Sequence, residues 1–458
     1  MTGIEGQPIL TAAAMRAAEE RAIAAGSSVR DLMTRAGNGV ADAAARIGSG
    51  APVLVLCGPG NNGGDGYVAA TRLRAMDVPV KVAASGEPKS DAAKAARAEW
   101  GEMVETLGAA EPAPILVDGL FGTGLSRPLD ETMTSPLARL TKAARLRIAI
   151  DLPSGIATDD ARVLSDVPAF DVTLALGALK PSHLLQLAAR FCGAVRVIDI
   201  GIAVSSDMSV LAPPELPEPG PDSHKYSRGM VTVVGGAMPG AGELAALAAL
   251  RAGAGYVLAL SDAQGAPHAI VRRPWDAKVL DDERIGAVVI GPGLGRDAGA
   301  QAKLDTALAS ERKLVIDGDA LSKLDLRRLA KRGRPAILTP HGGEFDKLFG
   351  KSDASKIDRA RDAAERAQAI VVFKGADTVI AAPDGRIAIS PPSNPWLSSA
   401  GTGDVLAGAT GAMLASGLDP FDAACAGVWL HGEAARRLGK AFIADDLADA
   451  LTQARASL

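Results

Sequence analysis

Short apolar runs alternate with amphipathic segments through the first half of the chain. Residues 11–26 have apolar positions at helical spacing, with Thr11 as a possible N-cap and Gly26 as a stop. Six β-rich runs then recur, and helical patterns separate most of them. These runs are residues 53–57, 80–84, 115–118, 147–151, 172–176 and 195–199. The alternation predicts an α/β fold, with a parallel sheet covered by helices on both faces.

The second half repeats this alternation. Its apolar runs are residues 231–234, 256–260, 287–290, 314–317, 336–338 and 370–373. Two further β-rich runs flank Pro383, Asp384 and Gly385, which predicts a β-hairpin. The pattern as a whole predicts a second α/β domain.

A proline-rich segment, residues 211–223, lies between the two halves. It holds five prolines and three acidic residues and has no apolar period, which is typical of a stiff, extended spacer. At 458 residues the chain is also too long for one compact core. We therefore expect a first domain over residues 1–210, a linker over 211–223 and a second domain over 224–458.

Charge and cysteine content exclude several classes of protein. The formal net charge is −4 and the charges are interspersed, so we expect no nucleic-acid partner, because such surfaces concentrate basic residues. The three cysteines form no CxxC pair, which favours a reducing compartment, and we expect the cytoplasm. We see no secretory signal and no run of about 18 apolar residues. The Ala/Gly-rich stretch 405–430 is broken at Asp419, Pro420 and Asp422, so we expect buried helix and no membrane partner.

A glycine-rich loop, residues 58–66, follows the first β-rich run. Glycines let a ligand approach the backbone, and a helix N-terminus presents free N–H groups that suit a phosphate. The loop matches neither standard nucleotide fingerprint. A tight turn with Asp65 as helix cap explains it equally well, although the Asn61 and Asn62 side chains can also ligate a hard cation or a ribose.

Two more strand ends carry polar groups beside glycine-rich turns. Asp118 ends the run 115–118, Asp151 ends the run 147–151, and Ser154 follows in the turn after it. Because ligands bind at the carboxyl ends of parallel strands, we expect these groups to share one pocket with the first glycine-rich loop.

The order of these motifs, GPGNNGGDG, DGLFGTGLSRP and DLPSG, resembles the NAD(P)H-hydrate epimerase domain, as do the opening segments 10–26 and 32–37. The resemblance implies a Rossmann-like three-layer sandwich, an isomerase that interconverts the R and S epimers at C6 of hydrated NADH and NADPH. It implies a potassium ion held by Asn62, Asp118 and Ser154, and Asp151 as substrate contact and acid/base. The implied dinucleotide contacts are Asn61, Asn62, Gly63, Gly64, Asp65, Gly122, Thr123, Gly124, Leu125, Ser126, Arg127 and Pro128.

The strongest motif of the second half is GTGD, residues 401–404, which opens a clear helical pattern. Amides at such a helix start can cradle a transferring phosphoryl group, and Asp404 can accept a proton from an attacking hydroxyl. Alternatively, Asp404 only favours the start of the helix. Glycine-rich or polar loops at 291–295, 338–344 and 374–378 also follow predicted strands.

This half resembles the ribokinase-like superfamily, and within it the ADP-dependent NAD(P)H-hydrate dehydratases, most specifically over residues 224–255. One departure is Met238, which stands where an aromatic residue often occurs. The resemblance implies substrate contacts at Ala241, Gly293, His341 and Asp404. The implied nucleotide contacts are Lys374, Gly375, Ala376, Asp377, Thr378 and Gly403.

Together the resemblances imply a bifunctional isomerase and lyase. The second domain would phosphorylate the hydroxyl of the S hydrate from ADP, with Mg²⁺ and with Asp404 as base, and release AMP and phosphate. Two alternatives stay open. A vitamin-precursor kinase fused to a binding domain would form a stable phosphorylated product from ATP, and a non-catalytic dinucleotide-binding protein would show no turnover. We expect only small-molecule ligands, hydrated NADH or NADPH and ADP, and a homo-oligomer.

Overall fold

The computed structural model describes residues 1–458, which divide into two compact units, Met1–Val210 and Leu211–Leu458. Each unit is an α/β structure built on a largely parallel sheet, so the predicted fold class is confirmed. The proline-rich segment 211–223, expected as a linker, lies within the second unit.

The first unit contains a seven-stranded parallel sheet with the order β3-β2-β1-β4-β5-β6-β7. Its strands are β1 (Val53–Cys57), β2 (Val80–Ala84), β3 (Glu105–Thr106), β4 (Ile115–Gly119), β5 (Leu146–Ile150), β6 (Val172–Leu176) and β7 (Ala194–Ile198), and a short strand, β8 (Met208–Val210), ends the unit. Its helices are α1 (Ala12–Ala24), α2 (Val29–Gly48), α3 (Asn61–Ala75), α4 (Asp91–Trp100), α5 (Glu131–Ala143) and α6 (Ala189–Cys192).

The central strand β1 shows why its sequence is an unbroken apolar run. Val53, Val55 and Cys57 join the core under one face of the sheet, whereas Leu54 and Leu56 join the core under the other face. A strand covered on both faces needs apolar residues at every position. The strand order reverses beside β1, whose neighbours are β2 and β4, and such a switch point opens a crevice at the carboxyl ends of the strands.

The strands of the second unit run in the order β11-β10-β9-β12-β13-β14-β15-β16-β17, parallel as far as β15 and antiparallel from there on. They are β9 (Met230–Val234), β10 (Tyr256–Leu260), β11 (Ile270–Arg273), β12 (Ile285–Ile290), β13 (Leu314–Ile316), β14 (Ala336–Leu338), β15 (Ile370–Phe373), β16 (Thr378–Ala381) and β17 (Ile387–Ser390). The helices are α7 (Pro239–Arg251), α8 (Ala298–Ala309), α9 (Gly318–Leu321), α10 (Leu326–Ala330), α11 (Gly342–Phe349), α12 (Lys356–Ala367), α13 (Thr402–Ala415), α14 (Pro420–Leu438) and α15 (Ala444–Ala456).

Helix α13 is central to the core of the second unit. A Cβ at Gly408 would lie 2.0 Å from the carbonyl oxygen of Ala245 in α7, and a Cβ at Gly411 would lie 2.4 Å from a methyl group of Val289 in β12. Glycine therefore lets α13 approach both elements closely. The Ala/Gly-rich stretch 405–430 forms parts of α13 and α14, which are separated before Pro420, and no helix in residues 1–458 has the length and apolar character needed to cross a membrane.

The proline-rich segment packs against the second unit. The Leu211 N–H donates to the carbonyl oxygen of Ile389 at 2.9 Å, and the Leu211 side chain is 8% exposed within the core. Leu216 also packs against that core, and the Arg455 guanidinium donates to the carbonyl oxygen of Pro217 at 2.9 Å.

Candidate active sites

The first site lies where β1 leads into α3. A Cβ at Gly58 would lie 1.7 Å from the carbonyl oxygen of Leu120, and a Cβ at Gly63 would lie 1.9 Å from the carbonyl oxygen of Gly58. These glycines are therefore required because the loops after β1 and β4 pack backbone against backbone. The N-cap of α3 is Gly60, which provides no side-chain cap. The alternative that Asp65 caps this helix is thus wrong, because Asp65 lies one turn inside it.

A cavity of about 670 Å³ opens at the carboxyl ends of β1, β4, β5 and β6. Three of the expected dinucleotide contacts do not line it: Gly64 faces the Met33 side chain and Gly63 faces the Gly58 backbone, and Pro128 lies outside the wall. The expected residues that do line it are Asn61, Asn62, Asp65, Gly122, Thr123, Gly124, Leu125, Ser126, Arg127 and Asp151.

Asp151 forms a buried ion pair at the floor of this cavity. Its Oδ1 accepts hydrogen bonds from the Lys180 ammonium at 2.5 Å and from the Leu176 N–H at 3.2 Å. Its Oδ2 accepts from the Thr123 N–H at 3.0 Å and from the Thr123 hydroxyl. Burial alone would raise the pKa of Asp151, but the Lys180 charge and these hydrogen bonds hold that pKa below its ordinary value. Asp151 is therefore an anion with a fixed orientation.

His183 holds this ion pair in place, and the sequence analysis missed both His183 and Lys180. The His183 Nδ1 accepts from the Lys180 N–H at 2.9 Å, and its Nε2 lies 2.6 Å from the Asp151 carbonyl oxygen. The Nε2 must carry the proton, because the carbonyl can only accept. Burial lowers the pKa of His183 to about 4, which keeps the ring neutral. Both residues follow the predicted strand 172–176, so the strand-end rule that selected Asp151 also applies to them.

Two further acids face the same cavity. Burial raises the pKa of Asp65 well above its ordinary value, and the nearby charges of Asp151 and Glu19 raise it further. The pKa of Glu19, on α1, is also raised by burial, while Lys180 lowers it. The cavity therefore combines one fixed carboxylate with acids that hold protons more tightly than exposed ones.

The residues expected to hold potassium are only partly brought together. Asp118 is fully buried; its Oδ1 accepts from the Ser154 hydroxyl at 2.8 Å and its Oδ2 accepts from the Ser154 N–H at 2.9 Å. Burial raises the pKa of Asp118 to about 6, against these hydrogen bonds. The Asn62 side chain bonds to neither residue. Its Nδ2 is buried without a partner, and its Oδ1 lies 2.9 Å from where a Cβ on Gly122 would stand.

The second site lies at the start of α13. Gly401, the N-cap, has φ +88° and provides no side-chain cap, so the first N–H groups of α13 stay available. Asp404 lies in the first turn. Burial, reinforced by the charge of Asp317, raises its pKa to about 7. A carboxylate placed to stabilise a helix start would have its pKa lowered by the helix dipole, so this environment favours a group that accepts a proton near neutral pH.

Lys374 faces the start of α13 from the end of β15. Its ammonium donates to Asp317 Oδ1 at 2.8 Å and would lie 3.3 Å from a Cβ on Gly403. The Thr339 hydroxyl donates to the same Asp317 oxygen at 2.7 Å. The sequence analysis missed Asp317 and Thr339, although Asp317 ends the predicted run 314–317 and precedes a glycine.

The rest of the loop 374–378 has a separate set of contacts. The Lys356 ammonium of α12 donates to Asp377 Oδ1 at 2.7 Å and to the Asp377 carbonyl oxygen at 2.6 Å. A Cβ on Gly375 would lie 2.7 Å from that ammonium. Lys356, also missed, therefore holds residues 375–377 of this loop in place.

Apart from Asp404, the expected substrate contacts of this unit fall into two groups. Ala241 and Gly293 are neighbours, because a Cβ on Gly293 would lie 3.0 Å from the Ala241 Cβ. His341 is the N-cap of α11, with its Nδ1 accepting from the Gly343 N–H at 3.0 Å and its side chain exposed. No hydrogen bond joins His341 to Asp404 or to Gly293.

Comparisons with known proteins match both units. A family described as YjeF-related protein N-terminus matches residues 29–182, and a family described as NAD(P)H-hydrate dehydratase matches residues 231–456. A bifunctional NAD(P)H-hydrate repair enzyme from Salinibacter ruber is 34% identical over 98% of this chain and 96% of its own length. The Escherichia coli enzyme of the same name is 32% identical over 85% of this chain and 81% of its own length.

Solved structures match about half of the chain. A Bacillus subtilis ADP/ATP-dependent NAD(P)H-hydrate dehydratase, co-crystallised with ATP and Mg²⁺, is 32% identical with a TM-score of 0.49. The match covers 53% of this chain and 94% of that one.

Proposed function

Since this chain belongs to the family of bifunctional NAD(P)H-hydrate repair enzymes, we propose that its two sites divide the repair of hydrated NADH and NADPH between them. The first unit interconverts the R and S hydrates, and the second dehydrates the S hydrate. One observation carries the proposal: the buried Asp151–Lys180 pair and the high-pKa Asp404 are two different proton-handling sites, one in each unit.

The epimerase role falls to Asp151 and Lys180. Epimerisation at C6 requires a bond to that carbon to break and re-form. When a base takes the C6 hydroxyl proton and passes it to N1, the C6–N1 bond opens to an aldehyde, and the reverse transfer closes the ring on the opposite face. The Asp151 carboxylate, held ionised by Lys180, is the acceptor. Its Oδ2 accepts from Thr123 in the cavity wall, and we propose this oxygen as the one that takes the substrate hydroxyl proton. The Lys180 ammonium stabilises the carboxylate whenever the proton is on the substrate.

Potassium fits the first site through Asn62, Asp118 and Ser154. Their oxygens suit a hard cation, and Asp118 is a buried acid whose pKa is raised to about 6 by desolvation, a cost that a cation would offset. Bound there, potassium would supply positive charge beside the loops that hold the dinucleotide.

Asp118→Ala tests this assignment. We expect it to weaken the potassium dependence of epimerisation, by about tenfold or more as for other metal-site residues, and to leave dehydration of purified S hydrate intact. An epimerisation rate that is flat across a potassium titration of the unaltered protein would remove the metal from the proposal.

The dehydratase role falls to the start of α13. Asp404 takes the proton of the substrate hydroxyl as that oxygen attacks the β-phosphorus of ADP, and AMP leaves. Expulsion of phosphate and loss of a ring proton then restore the nicotinamide double bond. The free N–H groups after Gly401 and the Lys374 ammonium stabilise the transferring phosphoryl group.

Magnesium suits this step because it neutralises charge on nucleotide oxygens. It usually keeps one or two protein carboxylates as ligands, and Asp317 is the acid that faces Gly403. We propose ADP as the phosphoryl donor, and the assay below compares ADP with ATP.

A coupled assay separates the proposal from its alternatives. The full chain is incubated with a mixture of R- and S-hydrated NADH, Mg²⁺, potassium and either ADP or ATP. We expect complete recovery of reduced nicotinamide with ADP and stoichiometric AMP. A stable phosphorylated product formed from ATP would indicate a kinase, and binding without turnover would indicate a non-catalytic protein.

We place the protein in the cytoplasm as a homo-oligomer. Cys57, Cys192 and Cys425 are all free thiols, which suits a reducing compartment. Sedimentation velocity measures the assembly state directly, and a monomer at micromolar concentration would contradict the second half of this assignment.

A further inference from the structure

The first unit has a second cavity, of about 370 Å³, at the carboxyl ends of β2 and β3. The loop after β2 is shared by the two cavities: Ser85 and Glu87 line the smaller one, whereas Lys89 and Ser90 line the larger one. The smaller cavity therefore lies beside the proposed epimerase site, on the same edge of the sheet.

One hydroxyl group in the wall of the smaller cavity is buried without a partner. The Ser85 Oγ is buried without a hydrogen bond. Tyr67 also lines the cavity and is 1% exposed. Burial raises the pKa of Tyr67, so the phenol stays a neutral donor. Buried polar groups are nearly always hydrogen-bonded, so the Ser85 hydroxyl indicates a polar ligand.

The cavity also has an uncompensated cation. Arg97, on α4, lies with its guanidinium 5.8 Å from the centre of the Tyr67 ring and forms no ion pair. The acid Glu105 is 3.4 Å from Lys81 and so does not compensate Arg97. The remaining acid of the wall is Glu87, which is exposed and has no cationic partner.

The strand order indicates which part of a dinucleotide these groups would bind. In a sheet of order 3-2-1-4-5-6, a dinucleotide lies across the switch point with one half on each side, and the ribose hydroxyls of its adenosine half meet an acid for NAD or an arginine for NADP. The Asp151–Lys180 pair lies beyond β4, with Asp151 directly after β5 and Lys180 after β6. The nicotinamide half therefore belongs there, and the adenosine half belongs at β2 and β3.

We propose that the smaller cavity holds the adenosine ribose of the hydrated dinucleotide, with Arg97 binding the 2′-phosphate of hydrated NADPH and Glu87 binding the free 2′-hydroxyl of hydrated NADH. The proposal rests on the epimerase function proposed above. It makes Arg97 and Glu87 the residues that set the balance between the two substrates.

The test compares Arg97→Gln with wild type in the full chain. Epimerisation is followed by chromatographic separation of R and S forms, without ADP. We expect the KM for hydrated NADPH to rise about tenfold or more, because a charge-assisted hydrogen bond is lost, and the KM for hydrated NADH to stay within about twofold. Arg97→Lys should recover part of the loss. Glu87→Gln should raise the KM for hydrated NADH and not that for hydrated NADPH.

Arg74→Gln is the matched control. Arg74 also stacks on an aromatic ring, 4.9 Å from the centre of Trp100, but it lines neither cavity. This substitution should leave the KM values for hydrated NADH and hydrated NADPH unchanged. Equal changes for both substrates in Arg97→Gln, or no change, would overturn the proposal.

A binding measurement separates this proposal from the epimerase function. Adenosine 2′,5′-bisphosphate is titrated into wild type and Arg97→Gln by calorimetry. Because the second unit is identical in both, any difference reports on this cavity. A loss of affinity in Arg97→Gln from a chain that does not epimerise would leave the subsite standing and overturn only the epimerase function. Equal affinities would overturn the subsite.

Discussion

The acids Asp151 and Asp404 occupy comparable places in the two units but opposite electrostatic environments. Both lie near the carboxyl edge of a mainly parallel sheet. Asp151 is paired at 2.5 Å with a buried ammonium, and its pKa is below the ordinary value. Asp404 has a pKa of about 7, because burial and the charge of Asp317 outweigh the attraction of Lys374.

The difference lies in what each lysine contacts. Lys180 donates directly to Asp151, whereas Lys374 donates to Asp317 and leaves Asp404 without a cationic partner in contact. Asp151, which stays ionised, suits a reversible exchange of a proton with the substrate. Asp404, with a pKa near 7, suits the removal of a hydroxyl proton at neutral pH. The position of one lysine thus distinguishes two uses of the same side chain.

The largest expected effect is on Asp404. Asp404→Asn keeps the size of the side chain and removes its ability to accept a proton, so dehydration of S-hydrated NADH should fall by about 10²–10⁴-fold, with AMP release falling in parallel. Epimerisation in the other unit should be unchanged. A fall of less than about threefold would make Asp404 only a helix-start residue.

The next largest expected effect comes from removing the buried Lys180 ammonium. Lys180→Met leaves Asp151 buried and unpaired, which should destabilise the first unit by about 3–5 kcal/mol. Hydrogen exchange of the amides in β5 and β6 measures this locally. Adding Asp151→Asn should restore much of the stability, because Asn tolerates the φ of +65° at this position. Normal protection in Lys180→Met alone would contradict the ion pair.

The two pH profiles should differ near neutrality. With Asp404 as base and a pKa of about 7, kcat/KM for dehydration should fall as the pH drops below 7, approaching tenfold per unit. Asp151 should add no inflection to the epimerisation profile at pH 7, because its pKa is lowered, and an inflection near pH 6 would report Asp118. A shared inflection at pH 7 in both assays would erase the contrast between the two acids.

The smallest expected effect is on how the stability of the second unit depends on pH. The pKa of Asp404 is raised from 3.8 in the unfolded chain to about 7, so the folded state keeps a proton that the unfolded state loses, and stability falls as pH rises between these values. Asp404→Asn should therefore unfold at a higher temperature than wild type at pH 8, and the difference should shrink toward pH 4. A variant less stable than wild type at pH 8 would reverse the sign of this argument.

Most strands could be predicted from sequence because both faces of each sheet are covered, so buried strands are continuous apolar runs. β2, β6 and β10 occupy the predicted residues. β3 has only two residues and β11 ends in two arginines; neither has enough apolar residues to be recognised, because pairing with a neighbour defines them.

The candidate sites were predictable only in outline. Asp118 and Asp151 could be selected because parallel strands end at a common edge, and Asp404 could be selected because the GTGD motif opens a helix. The Lys180–Asp151 pair could not be, because it joins residues 29 apart through the pairing of β5 with β6. Which acid keeps its proton depends on such tertiary contacts and is not visible in a motif.

The way residues 211–223 lie on the second unit bears on where the gene can be divided. A shortened gene that began after Ser223 would delete Leu211, with its core contacts and its bond to Ile389, and would leave Arg455 without the carbonyl of Pro217. A junction before Leu211 keeps all three. Recombination that separates or joins these two activities should therefore preserve the proline-rich segment with the downstream half, as part of its inherited folding unit.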